Sequence, residues 1–556
     1  MALNVFDYFE QLPANESGDP PWAARAPRRP HHSHDLKLVP RSPTWQQDRD
    51  SVLTLERVRE QPWVGEIERD DDGVRLRLSD SWIEMTGAAL EAGGGLESSL
   101  ADLAEGARYS VQFWDPNATK ALHVGHLRNL AIGNALAAAL AQAGAYVERR
   151  SRISDTGRAM GEAMAGVAAS GYGLQGLAEV DEKSDHFVGA CYAQYVAQAG
   201  TLTVDPDVPE PLAEDSLSRE VQVLEDSADA LIRRVLDGDA EALTLWYRTR
   251  AWVIAGQRRT LARLGVSFDR VLFESDFLPE TSQLVSDGLM SGALERREDG
   301  VIVYRTGMRE LEEVPLVRPD GLSTQHLRSL TYALSAPELE GVTSVQVTGA
   351  EWVSHLKSIR KLAAELRPGL NGGFHPGCSI FHGMVSQQKR AVTSSAGGLL
   401  VDELTGWLDA EIDRSDELRA IRRAHPRPEH IAAQIALAYF LPHPVTPDID
   451  FEPAHLLSDS QSLGLCLARA RARHNTQPGA ARPSRDPAYR FAVVQSELYR
   501  RHLRLAVQRL DVRPLAHYLR HLAIWHTESE HNEAVDRVVH TLLDRGARGL
   551  GLEPGQ

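Results

Sequence analysis

Residues 108–153 read RYSVQFWDPNATKALHVGHLRNLAIGNALAAALAQAGAYVERRSRI, and the pattern of this stretch changes twice. Its first seven residues predict a strand, the alanine-rich part predicts a helix, and AYVERRSRI predicts a second strand. Gly144 suits the end of that helix because glycine adopts positive φ without strain. A strand, a helix and a strand in succession indicate a parallel sheet. We therefore predict an α/β fold that binds ligands beyond the carboxyl ends of its strands.

The loop that enters the predicted helix has the features of a phosphate site. Free backbone N–H groups and the positive end of the helix dipole favour an anion at this position. Gly125 allows a ligand to come close, His123 and His126 can donate hydrogen bonds to oxygens that gain charge, and Lys120 adds a cation. Two neighbouring histidines are also compatible with ordinary core or surface positions, so the residues alone leave both interpretations open.

Length and composition limit the class of protein. A chain of 556 residues is expected to form two to four domains. The net charge of −17 argues against indiscriminate nucleic-acid binding, and the late arginine clusters are better explained as solvated helix faces than as an RNA-binding face. No apolar run is long enough to cross a membrane, and the start lacks the pattern of a signal peptide, so we expect a cytoplasmic protein without membrane association.

Metal binding and disulfides are not expected. The three cysteines are far apart, which favours buried thiols over a zinc site or a disulfide framework. They are Cys191, Cys378 and Cys466. HHSH at 31–34 has no further ligands at suitable spacing, so it is interpreted as a solvated tail.

The chain divides into three predicted domains. Residues 1–107 form a reduced N-terminal domain, with an irregular or mobile segment at 13–50 and a hairpin within 63–83. Residues 108–410 form the parallel-sheet domain, with a helical insertion at about 165–260 and further strands in VTSVQVTG and SIFHGMV. Residues 411–556 show helical periodicity to the end and predict an all-helical domain.

An ordered series of motifs resembles one family. DPNATKALHVGHLRN is followed by RISDTGRAMG, DGLSTQHLRSL, VQVTGAEWVSHL and FHGMVSQQKRAVTSSAGGLLVDEL. The series resembles the signatures of the class I aminoacyl-tRNA synthetases, and in detail the arginyl-tRNA synthetase family, as a diverged paralogue. The resemblance covers most of the chain from residue 60 onward. It implies a Rossmann-like catalytic domain, a small N-terminal α+β domain and an all-α C-terminal domain that resembles an anticodon-binding domain.

The same resemblance implies an activity and its partners. An amino acid is activated with ATP and Mg²⁺ to an aminoacyl adenylate, and the acyl group passes to the terminal ribose of a tRNA. The C-terminal segment is shorter than in the family and ends in GLEPGQ, which puts anticodon reading in doubt. We expect a monomer rather than an oligomer.

Residues that match the family's motifs are candidates for the nucleotide site. His123, His126 and Lys120 are assigned to phosphate contacts, with Lys389 and Ser394 from the second signature loop. That loop, AVTSSAG at 391–397, lacks the family's usual lysines, and Lys120 resembles a substitute for the lost charge. The predicted nucleotide-binding residues are Gly125, Asn129, Gly349, His355, His382, Gly383, Met384 and Val385.

The predicted amino-acid pocket departs from the family. Arginyl enzymes place a glutamate, a tyrosine, an aspartate and a glutamine around the substrate, and this chain has other residues at these places. The predicted substrate-binding set is Gln112, Asn117, Asp155, Gln325, Ser329 and Trp352. Two carboxylates are therefore lost, and a buried guanidinium without a counter-ion is costly. We predict a smaller, neutral amino acid in place of arginine; the alternative is that Glu351, Asp155 or Glu274 restores the negative charge.

Three functions are compatible with these motifs. The first is a synthetase-like ligase that activates an amino acid other than arginine and transfers it to tRNA or another acceptor. The second is an arginine–tRNA ligase with an altered pocket, against which Gln325 and Ser329 argue. The third is a catalytically weak paralogue that binds RNA or protein, against which the intact HVGH with Lys120 argues.

Overall fold

A computed structural model describes most of the chain. The described residues are 5–10, 22–31, 33–40, 49–94, 100–170, 183–198, 219–308, 311–335, 341–366, 378–387, 390–391, 398–474 and 483–553. Among them, no helix is both long and apolar enough to cross a lipid bilayer. Cys191 and Cys466 are buried as expected, whereas Cys378 is half-buried, and all three are free thiols.

The N-terminal part forms a four-stranded antiparallel sheet in the order β1-β2-β4-β3. Its elements are α1 (Val5–Glu10), β1 (Trp22–Arg25), β2 (Leu36–Pro40), α2 (Arg49–Arg59), β3 (Val64–Asp70), β4 (Gly73–Leu78) and α3 (Asp80–Glu91). The predicted hairpin is present as the antiparallel pair of β3 and β4.

The prediction of an irregular or mobile segment at 13–50 is wrong for the two strands β1 and β2. Trp22, Leu36 and Leu38 are almost fully buried, so apolar burial orders a stretch whose prolines and charges suggested irregular chain. Residues 13–21 and 41–48 lie outside the described part of the chain, and the prediction is untested there.

The centre of the molecule is a five-stranded, wholly parallel sheet in the order β12-β11-β5-β6-β7. The predicted succession of strand, helix and strand is confirmed as β5, α4 and β6. Elements of this part are β5 (Arg108–Trp114), α4 (Val124–Gln142), β6 (Tyr146–Ile153), α5 (Arg158–Ala169), α6 (Ser184–Gln198), α7 (Arg219–Leu236), α8 (Ala240–Leu264), β7 (Arg270–Phe273), α9 (Leu278–Ser291), β8 (Glu295–Arg296), β9 (Ile302–Met308), β10 (Leu311–Val317), α10 (Gln325–Ser335), β11 (Thr343–Gly349), α11 (Val353–Leu366), β12 (Ser379–His382), β13 (Val385–Gln387) and β14 (Arg390–Ala391).

Helix α4 lies in the core between the sheet and the C-terminal helices. Small residues allow this close packing: a Cβ on Gly133 would lie 2.1 Å from the Cβ of Phe113 on β5. Gly144 follows the helix with φ of 94°, as its predicted capping role requires. The first turn of α4 therefore sits at the carboxyl ends of the parallel strands, where this class of fold binds its ligands.

The C-terminal part is helical apart from β15, which the prediction of an all-helical domain missed. Its elements are α12 (Val401–Arg414), α13 (Asp416–Ala424), α14 (Ile431–Tyr439), β15 (Ile449–Asp450), α15 (Leu463–Ala472), α16 (Pro487–Arg509), α17 (Arg513–Glu528) and α18 (Glu533–Gly549). The strand β15 pairs in parallel with β13, so it joins the helical part to the edge of the predicted nucleotide site.

Candidate active site

The entry of helix α4 brings the two motif histidines together. His123 is the N-cap residue, and its backbone N–H donates to Nδ1 of His126 at 3.1 Å. The centroids of the two rings are 3.8 Å apart. Because Nδ1 of neutral His126 accepts this bond, its proton resides on Nε2, which can donate to a ligand oxygen. Nδ1 of His123 is buried and has no hydrogen-bond partner among the described residues.

Burial lowers the pKa of the two histidines and of Lys120. It lowers the pKa of His126 to about 3, with the nearby charge of Lys120 acting in the same direction. Burial, followed by the charges of His126 and Lys120, also places the pKa of His123 well below its ordinary value. The pKa of Lys120 falls to about 8 because its ammonium is largely removed from water. At neutral pH the site therefore contains two neutral imidazoles and one cation.

The chain that follows the second signature loop is attached to this helix entry. The N–H of Val124 donates to the carbonyl of Leu399 at 2.9 Å, and the N–H of Val401 donates to the carbonyl of Leu122 at 2.9 Å. Lys389 and Ser394 lie outside the described residues, so their predicted roles stay predictions. These two backbone bonds bring residues 399–401, which follow the loop, to HVGH.

Most of the predicted nucleotide-binding residues lie together at the ends of two strands. Gly349 on β11 pairs with His382 on β12. Nε2 of His382 contacts the side-chain oxygen of Asn129 on α4, and burial lowers the pKa of His382 to about 4. A Cβ on Gly383 would lie 2.4 Å from the carbonyl oxygen of Pro447, so this position has room only for glycine. The strand end, the helix and the 444–448 loop thus share one wall.

Arg128 holds this wall in place, and sequence reasoning did not identify it. It is 1% exposed, and its guanidinium donates to the carbonyls of Gly383 at 2.7 Å, Pro444 at 2.8 Å, Val445 at 2.8 Å and Pro447 at 2.9 Å. An arginine within an otherwise apolar helix face was the available signal, because a buried guanidinium requires several acceptors.

The loop that Arg128 binds also orders the next two predicted residues. The N–H of Met384 donates to Oδ1 of Asp448 at 2.7 Å, and Val385 pairs with Ile449.

His355 lies on α11, its ring 5.1 Å from that of Trp352, and burial lowers its pKa to about 3. Nε2 of His355 is buried and unpartnered within the described residues.

The predicted amino-acid pocket contains an arginine of the protein itself. Nη1 of Arg152, at the end of β6, donates to Oγ of Ser329 at 3.1 Å, and its Cζ lies 5.3 Å from the ring centroid of Tyr332. Nη2 of Arg152 is 3.9 Å from Oδ2 of Asp115. Gln112 donates to Asp115 at 2.7 Å and accepts from the Tyr332 hydroxyl at 2.9 Å.

Arg152, Asp115 and Tyr332 were missed in the sequence, although Gln112 and Ser329 were identified. Burial lowers the pKa of Arg152, but the charges of Asp115 and Glu274 outweigh it and raise the pKa above its ordinary value, so the guanidinium stays charged. A cation and its anion, held by two polar neighbours, therefore line the place predicted for the substrate side chain.

The nearby carboxylates face arginines of the same chain. Asp155 is fully buried and accepts from Nη1 of Arg250 at 2.7 Å and from the Ser275 hydroxyl at 2.7 Å. Glu274 accepts from Nε of Arg328 at 2.7 Å. Two of the three carboxylates weighed as replacements for the lost charge, Asp155 and Glu274, are thus engaged inside the protein, with Oε1 of Glu274 left without a hydrogen-bond partner in the described residues. The substrate role assigned to Asp155 stays a prediction.

The remaining predicted substrate residues lie at the rim. Asn117 is exposed and forms a bridge with Ser154 at the carboxyl end of β6. Gln325 begins α10, one turn before Ser329. Trp352 is half-buried at the end of a short 3₁₀ helix after β11. Asn117 and Trp352 follow the carboxyl ends of β5 and β11, at the same edge of the sheet as the histidines.

Comparison with known proteins finds similarity to the class I tRNA synthetases. Residues 98–185 match the family model of the catalytic domain of the class I tRNA synthetases (R). The arginine–tRNA ligase of Amoebophilus asiaticus is 28% identical over 348 residues, which are 60% of this chain and 56% of the relative. That of Treponema pallidum is 29% identical over 376 residues, 66% of this chain and 60% of the relative. The chain thus spans less than two thirds of the length of these relatives.

Solved structures confirm the fold class. Thermus thermophilus arginyl-tRNA synthetase has a TM-score of 0.62 and 18% identity, with 97% of each chain covered. The Plasmodium falciparum arginyl-tRNA synthetase has a TM-score of 0.57 and 14% identity, with 99% of this chain and 96% of that chain covered. The resemblance to the arginyl-tRNA synthetase family that the motifs indicated is supported by the family model and the curated relatives, and the solved structures share the fold.

Proposed function

We propose that this chain, which has the fold and the sequence relatives of the arginyl-tRNA synthetases, activates an amino acid with ATP. A carboxylate oxygen of the amino acid attacks the α-phosphorus, the bond from that phosphorus to the α,β-bridging oxygen breaks, and pyrophosphate leaves. A hydroxyl of tRNA or of another acceptor then attacks the acyl carbon, and AMP leaves. We place this chemistry in the domain at 108–410, with Mg²⁺ accompanying the nucleotide.

The residues at the entry of α4 suit the nucleotide. Nδ1 of His123 is an orphaned buried atom, Nε2 of His126 carries a proton, and Lys120 provides a charge beside them. When bound, ATP supplies the activated α-phosphate. The two imidazoles would donate to oxygens that gain charge as pyrophosphate leaves, and the helix end would favour the same charge. Gly349, His382 and Gly383 would receive the adenine.

The position of the Arg152 guanidinium is the observation that supports the proposed choice of substrate. This guanidinium already lies between Ser329, Tyr332 and Asp115, where the side chain of an arginine substrate would be expected. A second guanidinium would meet a like charge, and the nearest carboxylates already face internal arginines. We propose that the pocket accepts a smaller amino acid whose side chain is neutral and polar, as Gln112 and Ser329 would favour.

Exchange of radioactive pyrophosphate into ATP tests the proposal. The purified chain is assayed with each of the twenty amino acids, with and without bulk tRNA. One neutral amino acid should support exchange at least about tenfold better than arginine, since one mispaired buried group is enough for such discrimination. If none of the twenty amino acids supports exchange, with or without tRNA, the proposed activity itself is contradicted.

Arginine–tRNA ligase activity is the second candidate. The curated relatives carry this name, and Oε1 of Glu274 is a buried carboxylate oxygen without a described partner. Exchange that saturates with arginine at micromolar to low millimolar concentration would support this function and contradict the proposed substrate choice.

A further inference from the structure

A cluster of metal-ligating side chains lies in the C-terminal helices, far along the chain from the candidate active site. Its members are His526 in the last turn of α17, His531 in the connection between helices, and Asp536 in the first turn of α18. The spacing is H-x4-H-x4-D in HTESEHNEAVD. All three residues are buried, and one ligand atom from each lies within 4.8 Å of the others.

The contacts within this cluster are not those of a complete hydrogen-bond network. Nε2 of His526 lies 2.9 Å from Oδ1 of Asp536, and Nε2 of His531 lies 2.8 Å from the same oxygen. The His531 contact is close, but its geometry is not that of a hydrogen bond. Neither ring nitrogen of His531 has a hydrogen-bond partner within the described residues, nor does Nδ1 of His526.

Unpaired ring nitrogens in a buried place are unfavourable, and proteins rarely keep them without a compensating contact. Two imidazole nitrogens converge at short distance on one carboxylate oxygen, and the nitrogen of His531 does so without hydrogen-bond alignment. Ligands of one cation lie close to each other in this way. Ligand atoms about 2.0–2.2 Å from a shared zinc ion would need to move apart by only a few tenths of an ångström from the observed distances.

We propose that His526, His531 and Asp536 bind one Zn²⁺ ion. Nitrogen and carboxylate ligands in a set of this size suit zinc, whereas Mg²⁺ and Ca²⁺ prefer oxygen ligands alone. Metal binding was not expected from the sequence, because the cysteines are far apart and HHSH lacks further ligands at suitable spacing. The regular spacing of these three residues was visible there, but the turn that brings them together was not.

The ion would have a structural role. It would tie the end of α17 to the start of α18 across a connection already held by Asn532, whose Oδ1 accepts from the N–H of Ala534 at 3.1 Å. His540 lines the same space, with its ring 5.2 Å from that of His526, but its Nε2 is bonded to the carbonyl of Ala470. All three ligand residues are buried, and they belong to two helices and the connection between them, which favours a structural role.

Metal analysis of the full chain, purified without a histidine tag, tests the proposal. Elemental analysis should find about one zinc ion per chain, the stoichiometry of a single structural site. Removal of the metal with a chelator should lower the melting temperature by about 5 °C, and added Zn²⁺ should restore it while added Mg²⁺ should not. The variant His531→Gln should lose both the bound zinc and the shift, whereas His521→Gln, at an exposed position of α17, should keep them.

A variant that misfolds would not decide the question, so the wild-type chain provides the second measurement. Metal-free protein is titrated with Zn²⁺ in competition with a coloured chelator, and with Co²⁺, whose visible absorption reports its coordination. Saturation at one equivalent, with a tetrahedral Co²⁺ spectrum, would support the site. Absence of bound zinc together with an unchanged melting temperature on addition of Zn²⁺ would overturn it, and neither result depends on the proposed enzymatic activity.

Discussion

At the scale of single residues, the two histidines at the start of α4 carry the proposed phosphate chemistry. Replacing His126 with alanine removes an N–H that the structure holds as a donor, since Nδ1 accepts from the backbone of His123. We expect His126→Ala and His123→Ala each to lower the rate of adenylate formation about 100-fold or more, the scale for losing one preorganised donor. Pyrophosphate exchange at saturating ATP measures the effect.

The control for this pair is His521→Ala, at an exposed position on α17, which should leave exchange unchanged. Circular dichroism of all three variants checks that the helical content is retained. Normal exchange by both His123→Ala and His126→Ala would mean that the active site lies elsewhere.

Arg152 decides the charge of the proposed amino-acid pocket. In Arg152→Ala the carboxylate of Asp115 would face the pocket without its arginine, so a cationic substrate would gain a partner. We expect the ratio of kcat/KM for arginine to that for the preferred neutral amino acid to rise at least about tenfold. Arg149→Ala is the matched control, because Arg149 is on the same strand and lines a separate cavity with Gly265 and Arg427. An unchanged ratio in Arg152→Ala would remove Arg152 from the explanation of specificity.

The residue types around HVGH were predictable, whereas the charge balance of the pocket was not. His123, His126 and Gly125 were predictable from the sequence, because this combination in a loop before a helix is typical of a phosphate site. Arg152 belongs to a strand with three arginines, and which of them reaches the pocket depends on the register of β6 against β5. Only the packed structure shows that its guanidinium crosses to Ser329 on α10.

At the scale of elements, one carboxylate joins three helices. Asp402 on α12 accepts hydrogen bonds from three side chains. The donors are Lys183, just before α6, at 2.7 Å, His186 on α6 at 2.9 Å, and Thr260 on α8 at 3.1 Å. Burial alone would raise the pKa of Asp402, but the hydrogen bonds from His186 and Lys183 hold it well below its ordinary value. The hydrogen bond to Asp402 raises the pKa of His186 in turn.

The pH dependence of stability follows from the signs of these shifts. The depressed carboxylate contributes stability above its unfolded pKa of about 3.9 and loses it as the pH falls towards the folded pKa. The raised imidazole contributes below its unfolded pKa of about 6.5 and loses its share as the pH rises through the folded pKa. The difference in unfolding free energy between wild type and Asp402→Asn should therefore be largest between about pH 4 and pH 6.5.

Urea unfolding at about pH 3, pH 5 and pH 9 measures this difference. The difference should shrink on both sides of pH 5 and keep a remainder at pH 9, where the Thr260 hydroxyl still donates to Asp402. Asp72→Asn, at an exposed carboxylate of the N-terminal hairpin, serves as the control and should show little effect. A difference that does not vary with pH would show that Asp402 acts by packing alone.

Elements with strong periodicity were predictable, and those stabilised by distant partners were not. Four of the parallel strands and α4 follow from apolar periodicity and the glycine at residue 144, whereas the short fifth strand β7 was not predicted. The strands β1 and β2 contain few residues: β2 depends on pairing with β4, about 40 residues away in the chain, and β1 depends on pairing with β2. Similarly, β15 has two residues and exists because β13 offers it a partner.

At the scale of the whole molecule, the N-terminal sheet is held to the C-terminal helices by Arg490. This side chain on α16 is 1% exposed and donates to Oδ1 of Asp35 at 3.0 Å, to Asp80 at 2.8 Å and to the carbonyl of Leu78 at 2.6 Å. The carboxylate of Asp35 also accepts from the N–H of Leu78 at 2.8 Å, so both partners belong to one buried network. This contact joins residues 455 positions apart in the sequence.

The variant Arg490→Met would leave the buried carboxylate of Asp35 without its cation. Breaking a buried pair from one side costs about 3–5 kcal/mol, so we expect the N-terminal sheet to loosen before the rest of the chain. Hydrogen exchange should show amides of β2 and β4 exchanging at least about 100-fold faster, while those of β5 and β6 stay protected. Asp35→Asn in the Arg490→Met background should recover part of the protection, because it removes the unpaired charge. Arg509→Met, at an exposed position of the same helix, should leave every segment unchanged. Equal acceleration in β2, β4, β5 and β6 would mean instead that the sheet and the catalytic part open as one unit, and that Arg490 stabilises the molecule globally.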